Sequence, residues 1–250
     1  AAPLTVVDNW PRLVQLAWQL HDNTGKLLSR NNSIIKPDGF DIPFKSEQVH
    51  GISTQRALEE GRELDVVLAE FRKDLERTQL LVGHNIEFDI NIIGAEFIRR
   101  NLPTEIFLAL AKLDTGISAI EFCQLPGGIG GKLKMPRLTE LHEKLFGKNF
   151  EDAHDASYDV AATARCFFGL LQKKVVAPLD NTTLEKIIYE EPDLEAGNSG
   201  KREKVKGIDY GDHNEVDLSD KLFCHLHVHS QYSVLQAVPN VTELIAKAQA

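Results

Sequence analysis

Apolar positions first alternate with polar ones along the chain and later recur at helical spacing. Over residues 12–36, RLVQLAWQL is apolar-rich, Asp22-Asn23-Thr24-Gly25 supplies turn chemistry, and KLLSRNNSIIK returns, which predicts a β-hairpin. Residues 46–52 read as a short helical turn. Val67, Leu68, Phe71 and Leu75 lie close to the i, i+4, i+7 pattern of a helix over residues 65–77. Residues 79–82 form a short apolar strand ending at Gly83, and Ile86, Ile90, Ile93 and Phe97 mark the stripe of a second helix. A further strand ends near Leu113, with Asp114 placed to cap the helix after it. Residues 127–136, GGIGGKLKMP, read as a mobile glycine-rich loop with two lysines. Two more helices are predicted over residues 137–146 and 157–174, the second burying Val160, Ala164, Phe167 and Leu171. Strands interleaved with helices make the expected class α/β, a layered domain over residues 1–177.

From residue 178 to 221 the chain turns polar and charged, with few large apolar groups. Such a stretch cannot offset its ordering entropy by burial, so a linker or disordered segment is expected there. Apolar residues return at Leu222, where a further, incomplete domain is expected to begin and run to residue 250. No run of about 18 apolar residues exists, so no membrane span is expected, and the N-terminal residues lack the order of a secretory signal. Cys123, Cys166 and Cys224 are odd in number and far apart; they fit neither a zinc spacing nor a disulfide framework, which points to a reducing cytoplasm. The net charge of −9 argues against a broad basic face gripping duplex DNA. It leaves room for a site built of carboxylates, where bound divalent metals reverse the sign locally.

Two segments hold candidate chemistry. Gly83-His84-Asn85-Ile86-Glu87-Phe88-Asp89 leads from a strand into the Ile-striped helix, with Asp89 at the margin of the stripe. Ala153-His154-Asp155-Ala156-Ser157-Tyr158-Asp159 opens the last long helix, and its small neighbours leave room for a substrate. Each has a plainer explanation alone: Asp89 favours the positive end of its helix, and Asp155 caps its own beside a surface histidine.

Together the segments resemble the second and third motifs of the DEDD 3′–5′ exonuclease superfamily, in its His-containing subclass. The second motif ends in Phe-Asp, as Phe88-Asp89 does, and the third reads His, four residues, Asp, as His154 to Asp159 do. The hairpin and the passage KPDGF…IP…VHGIS (residues 36–53) are similar to the proofreading members, so the resemblance covers about residues 10–175. It implies a ribonuclease H-like fold, a mixed central sheet flanked by helices, and hydrolysis of DNA from a 3′ end. It also implies two Mg²⁺ or Mn²⁺ ions about 3.5–4 Å apart, with Asp89 and Asp159 as ligands and His154 as general base. His50, Asn85 and Phe88 would lie near the substrate. Lys132, Lys134 and Arg137 could touch phosphates or simply be solvated.

One family feature is missing: no Asp-x-Glu follows a suitable first strand, since Val6-Val7-Asp8 is followed two residues later by Trp10. The chain is therefore expected to begin after that strand, to leave a gap or unpaired edge beside the 12–20 strand, and to be nearly inactive as it stands. At the other end, FCHLHVHSQYSVLQ would place His225, His227 and His229 on one face of a strand. This resembles the opening of the PHP domain of bacterial DNA polymerase III alpha subunits, with His227 and His229 as its metal-binding pair, although Gln236 stands where that family carries an acid. An exonuclease followed by this motif implies a proofreader and polymerase in one polypeptide. The alternatives are an exoribonuclease of the same superfamily and a catalytically inactive module that binds nucleic acid or polymerase.

Overall fold

A computed structural model describes residues 4, 6–148, 156–177, 187–190 and 222–230, with the last three of these described by backbone alone. The expected hairpin is present as β1 (Leu13–His21) and β2 (Leu27–Ile34), antiparallel, with Gln15 opposite Ile34 and Leu20 opposite Ser29. Its turn is held by Asp22, whose Oδ1 accepts from Thr24 N–H at 2.9 Å and Lys26 N–H at 3.0 Å. Two short helices follow, α1 (Phe44–His50) and α2 (Thr54–Glu60); the expected 46–52 turn is α1, and α2 had no clear apolar period. Next come α3 (Leu64–Leu75), β3 (Leu80–Gly83), α4 (Ile86–Arg99), α5 (Glu105–Ala109) and β4 (Ala111–Asp114). The short α6 (Thr115–Ser118) and α7 (Ile120–Cys123) precede α8 (Leu138–Phe146), α9 (Ala156–Gln172) and β5 (Phe223–Ser230).

The sheet order is β2-β1-β5-β3-β4. β5 runs antiparallel to β1, with Trp18 opposite Leu226, and parallel to β3, with Val82 opposite His225. The gap expected beside the first hairpin strand is thus filled by a segment that the sequence assigned to another domain. Two properties of the segment explain this. β1 and β3 would otherwise each present a row of unpaired amides and carbonyls, and residues 223–226 can be buried on both faces, as a central strand must be.

The sheet separates two apolar layers. On one face α3 and α4 pack Val67, Leu68, Phe71, Ile92, Ile93 and Phe97 against Leu16, Trp18, Leu20, Cys224 and Leu226. On the other, α8 and α9 bring Leu141, Phe167, Phe168 and Leu171 onto Leu80, Val82 and Phe223. The inward face of β2 is polar and is hydrogen-bonded accordingly: Asp74 Oδ2 accepts from Ser29 Oγ at 2.8 Å and from Trp18 Nε1 at 2.9 Å. Of the segment expected to be a linker, only residues 187–190 are described, and they pack: Tyr189 stacks on Phe168, and Ile188 N–H donates to Thr24 O at 2.7 Å. Among the described residues no helix is long and apolar enough to cross a membrane.

β5 also brings a polar group into the core. His225 and His21 on β1 are both fully buried with ring centroids 4.9 Å apart, and neither ring nitrogen of either has a hydrogen-bond partner among the described residues. Burial lowers the His21 pKa to about 3 and pushes that of His225 well below the ordinary value, with His21 adding to the effect. Both rings are neutral at pH 7.

Candidate functional site

Asp89 and Asp159 each sit in the first turn of a helix, 3% and 8% exposed respectively. α4 starts directly after the C-terminal end of β3, because Asn85 adopts the left-handed conformation (φ 64°, ψ 44°) and turns the chain out of the sheet. Asp114, at the end of β4, secures this turn: its Oδ2 accepts from Ile86 N–H at 3.1 Å, while Oδ1 accepts from Gly116 N–H at 2.8 Å and Ile117 N–H at 3.1 Å. The expected cap is therefore real, and it serves two helices at once.

β5 brings α9 to the same end of the sheet. His225 is level with Val82, so His227 lies level with His84 just beyond Gly83. His227 Nε2 is 3.4 Å from Asp159 Oδ2. His84 is half-buried, with Nε2 2.9 Å from Pro136 O and Nδ1 3.0 Å from Thr115 Oγ1. Burial lowers its pKa; the Pro136 contact and Asp114 oppose this, and His227 adds a further lowering. A neutral His84 therefore carries its proton on Nε2, donates to the Pro136 carbonyl and accepts at Nδ1. The single hydrogen of Thr115 is shared between that nitrogen and Gly83 O at 3.1 Å. Sequence reasoning left His84 without a role; its contacts are made by residues 31 and 52 positions away.

The other sequence-predicted residues are placed as follows. His154 lies outside the described residues, and of His229 only the backbone is described, opposite Gln15. His50 is buried at the end of α1, where its Nδ1 accepts from Ile52 N–H at 3.2 Å and burial lowers its pKa to about 4. Asn85 is exposed, and Phe88 packs its ring against the layer under α3 and α4. Lys134 is committed to Glu140 at 2.6 Å, while Lys132 and Arg137 are exposed. Among the described residues no three His, Cys, Asp or Glu side chains are grouped closely enough to hold a metal ion. The strand beside Asp159 presents an imidazole where a magnesium site would want an oxygen.

The likeness to known proteins agrees with this arrangement. The family profile described as exonuclease matches residues 12–167. The PolC-type DNA polymerase III of Streptococcus pyogenes serotype M18 (strain MGAS8232) is 25% identical over 224 residues, covering 90% of this chain and 14% of that protein. Its counterpart from Streptococcus pneumoniae serotype 2 (strain D39 / NCTC 7466) is 28% identical over 196 residues, covering 78% and 12%. The chain thus spans about one seventh of the length of these relatives or less. Among solved structures, E. coli Exonuclease I in complex with a dA16 oligonucleotide superposes with a TM-score of 0.53 at 21% identity, covering 64% of this chain and 36% of that one, a likeness of fold. The mixed sheet with helices on both faces is the ribonuclease H-like arrangement that the sequence led us to expect. With the profile match covering well over half of its length, the chain belongs to the exonuclease family.

Proposed function

We propose that this chain is the 3′–5′ proofreading exonuclease module of a replicative DNA polymerase polypeptide, hydrolysing terminal phosphodiesters of a frayed or single-stranded DNA end. The observation that carries this reading is the pair of nearly buried carboxylates, Asp89 and Asp159, at the starts of two helices on one end of an exonuclease-family sheet. The PolC-type relatives support the link to replication, and the oligonucleotide bound by Exonuclease I supports DNA as ligand. Asp89 and Asp159 would hold the divalent metal, Mg²⁺ or Mn²⁺, and His154 would accept the proton of the attacking water. Bound divalent metal supplies a nucleophilic water and charge stabilisation of the leaving alkoxide.

The described donors fit that role only in part. Two carboxylates are half of what the resemblance calls for, and His227 stands next to Asp159 in place of a third. In this form the chain should bind metal weakly and cleave slowly. The same observation favours, as a second reading, a module that binds a DNA end or the polymerase without cutting.

The test is digestion of a mismatched primer-template labelled at the 5′ end of the primer, with Mg²⁺ or Mn²⁺. Shortening from the 3′ end that disappears with Asp89→Ala and Asp159→Ala is the expected result. His154→Ala should slow it by roughly 10²–10⁴-fold, the usual worth of a general base. Tight primer-template binding without shortening, in every variant, would establish the non-cutting reading instead.

A further inference from the structure

The glycine-rich segment before α8 is a closed hairpin. Gly128 N–H donates to Lys132 O at 2.8 Å, Lys134 N–H donates to Leu125 O at 2.9 Å, and Pro126 bridges Leu133 antiparallel. Gly127, Gly130 and Gly131 have φ of 110°, 70° and 80°, the left-handed region that reverses the chain here. Gly128 admits no side chain, because a Cβ would lie 2.5 Å from Leu133 O. The hairpin is also fixed at its base: Pro136 O is held by His84 Nε2, and Met135 rests against Gly116. It therefore stands beside the end of the sheet that carries Asp89 and Asp159.

At its tip Ile129 is 97% exposed, the most exposed large apolar side chain among the described residues. Glycines on either side leave nothing to shade it. A lone exposed apolar residue is ordinary on a protein surface, but this one is raised on a closed, anchored turn. Beside it Lys132 is exposed and forms no ion pair among the described residues, unlike Lys134. An apolar tip with a free cation three residues on matches the two parts of an unpaired nucleotide, a flat apolar base and a charged phosphate.

We infer that this hairpin is a single-strand nucleic-acid arm, with Ile129 against the face of an unpaired base and Lys132 on a neighbouring phosphate. The inference rests on the exonuclease reading and extends it to how the substrate strand is held.

The test is fluorescence anisotropy with the full 250-residue chain, using a labelled oligothymidylate and an abasic strand of equal length, without added magnesium. Ile129→Ser should weaken oligothymidylate binding by roughly three- to tenfold and leave abasic binding unchanged. Lys132→Ala should weaken both and lower the slope of log affinity against log salt by about 0.7, the value for one single-strand phosphate. Unchanged binding with Ile129→Ser, or an equal loss on both strands, overturns the arm. If Ile129→Ser is silent while Asp159→Ala still stops digestion, the arm falls and the exonuclease reading stands. If the unaltered chain binds neither strand, the arm falls, and the digestion assay decides the exonuclease reading separately.

Discussion

Glu96 is a carboxylate only 1% exposed; its Oε1 accepts from Arg12 Nε at 2.9 Å and Leu13 N–H at 3.0 Å and forms an ion pair with Arg99 at 3.1 Å. It ties the start of β1 to the end of α4, and nothing in the local sequence announces it, because Arg12 is 84 residues away. Glu96→Ala would leave Arg12 Nε and the Leu13 amide without their acceptor and Arg99 without its ion-pair partner. We expect a loss of about 3 kcal/mol, read from the urea midpoint at unchanged slope. His21 makes a prediction of opposite logic, since it is stable only while neutral. Its folded pKa of about 3 lies below the ordinary 6.5, so the unfolded chain takes up a proton that the folded one refuses. The stability that depends on a neutral His21 is complete above pH 6.5 and falls by about 1.4 kcal/mol per pH unit as pH drops towards 3. His21→Phe should flatten that slope by one proton; an unaltered slope in a titration of denaturation midpoints would show that His21 is not the source.

Among the elements, those that declare themselves in sequence have their partners close by or their pattern self-contained. The stripes of α3 and α4 and the turn at Asp22 are local facts, and they were legible. So was the cap at Asp114, although that it also receives Ile86 N–H was not. The closed hairpin at residues 125–134 was not legible because glycine suggests freedom, whereas here positive φ serves a turn. The pairing of β5 was not legible for a different reason. Its alternation of apolar residues with histidine signals a strand but not which sheet the strand joins, and its pairing residues lie far up the chain. His227 is the test of that placement. His227→Asp would set a carboxylate next to Asp159 and add a hard oxygen donor, so Mn²⁺ affinity by calorimetry should rise on the order of tenfold. If β5 did not occupy this slot, the substitution would leave metal affinity unchanged.

At the scale of the molecule the α/β class was readable, and so was the position of Asp89 and Asp159 near the starts of their helices. What could not be read was how the sheet closes. Among the described residues the β1–β2 hairpin and the β3–β4 pair are joined within the sheet only through β5. Leu222, which leads into β5, bonds to Gln79 across 143 residues. The middle strand is thus the last of the five to leave the ribosome. Until residues 223–230 emerge, the β1–β2 and β3–β4 pairs each keep a bare edge, and the two apolar layers lack Phe223, Cys224 and Leu226. Closing β5 onto β1 and β3 joins segments far apart in the chain, so this step should set the overall folding rate, and until it is complete the two bare edges would be open to pairing with other chains.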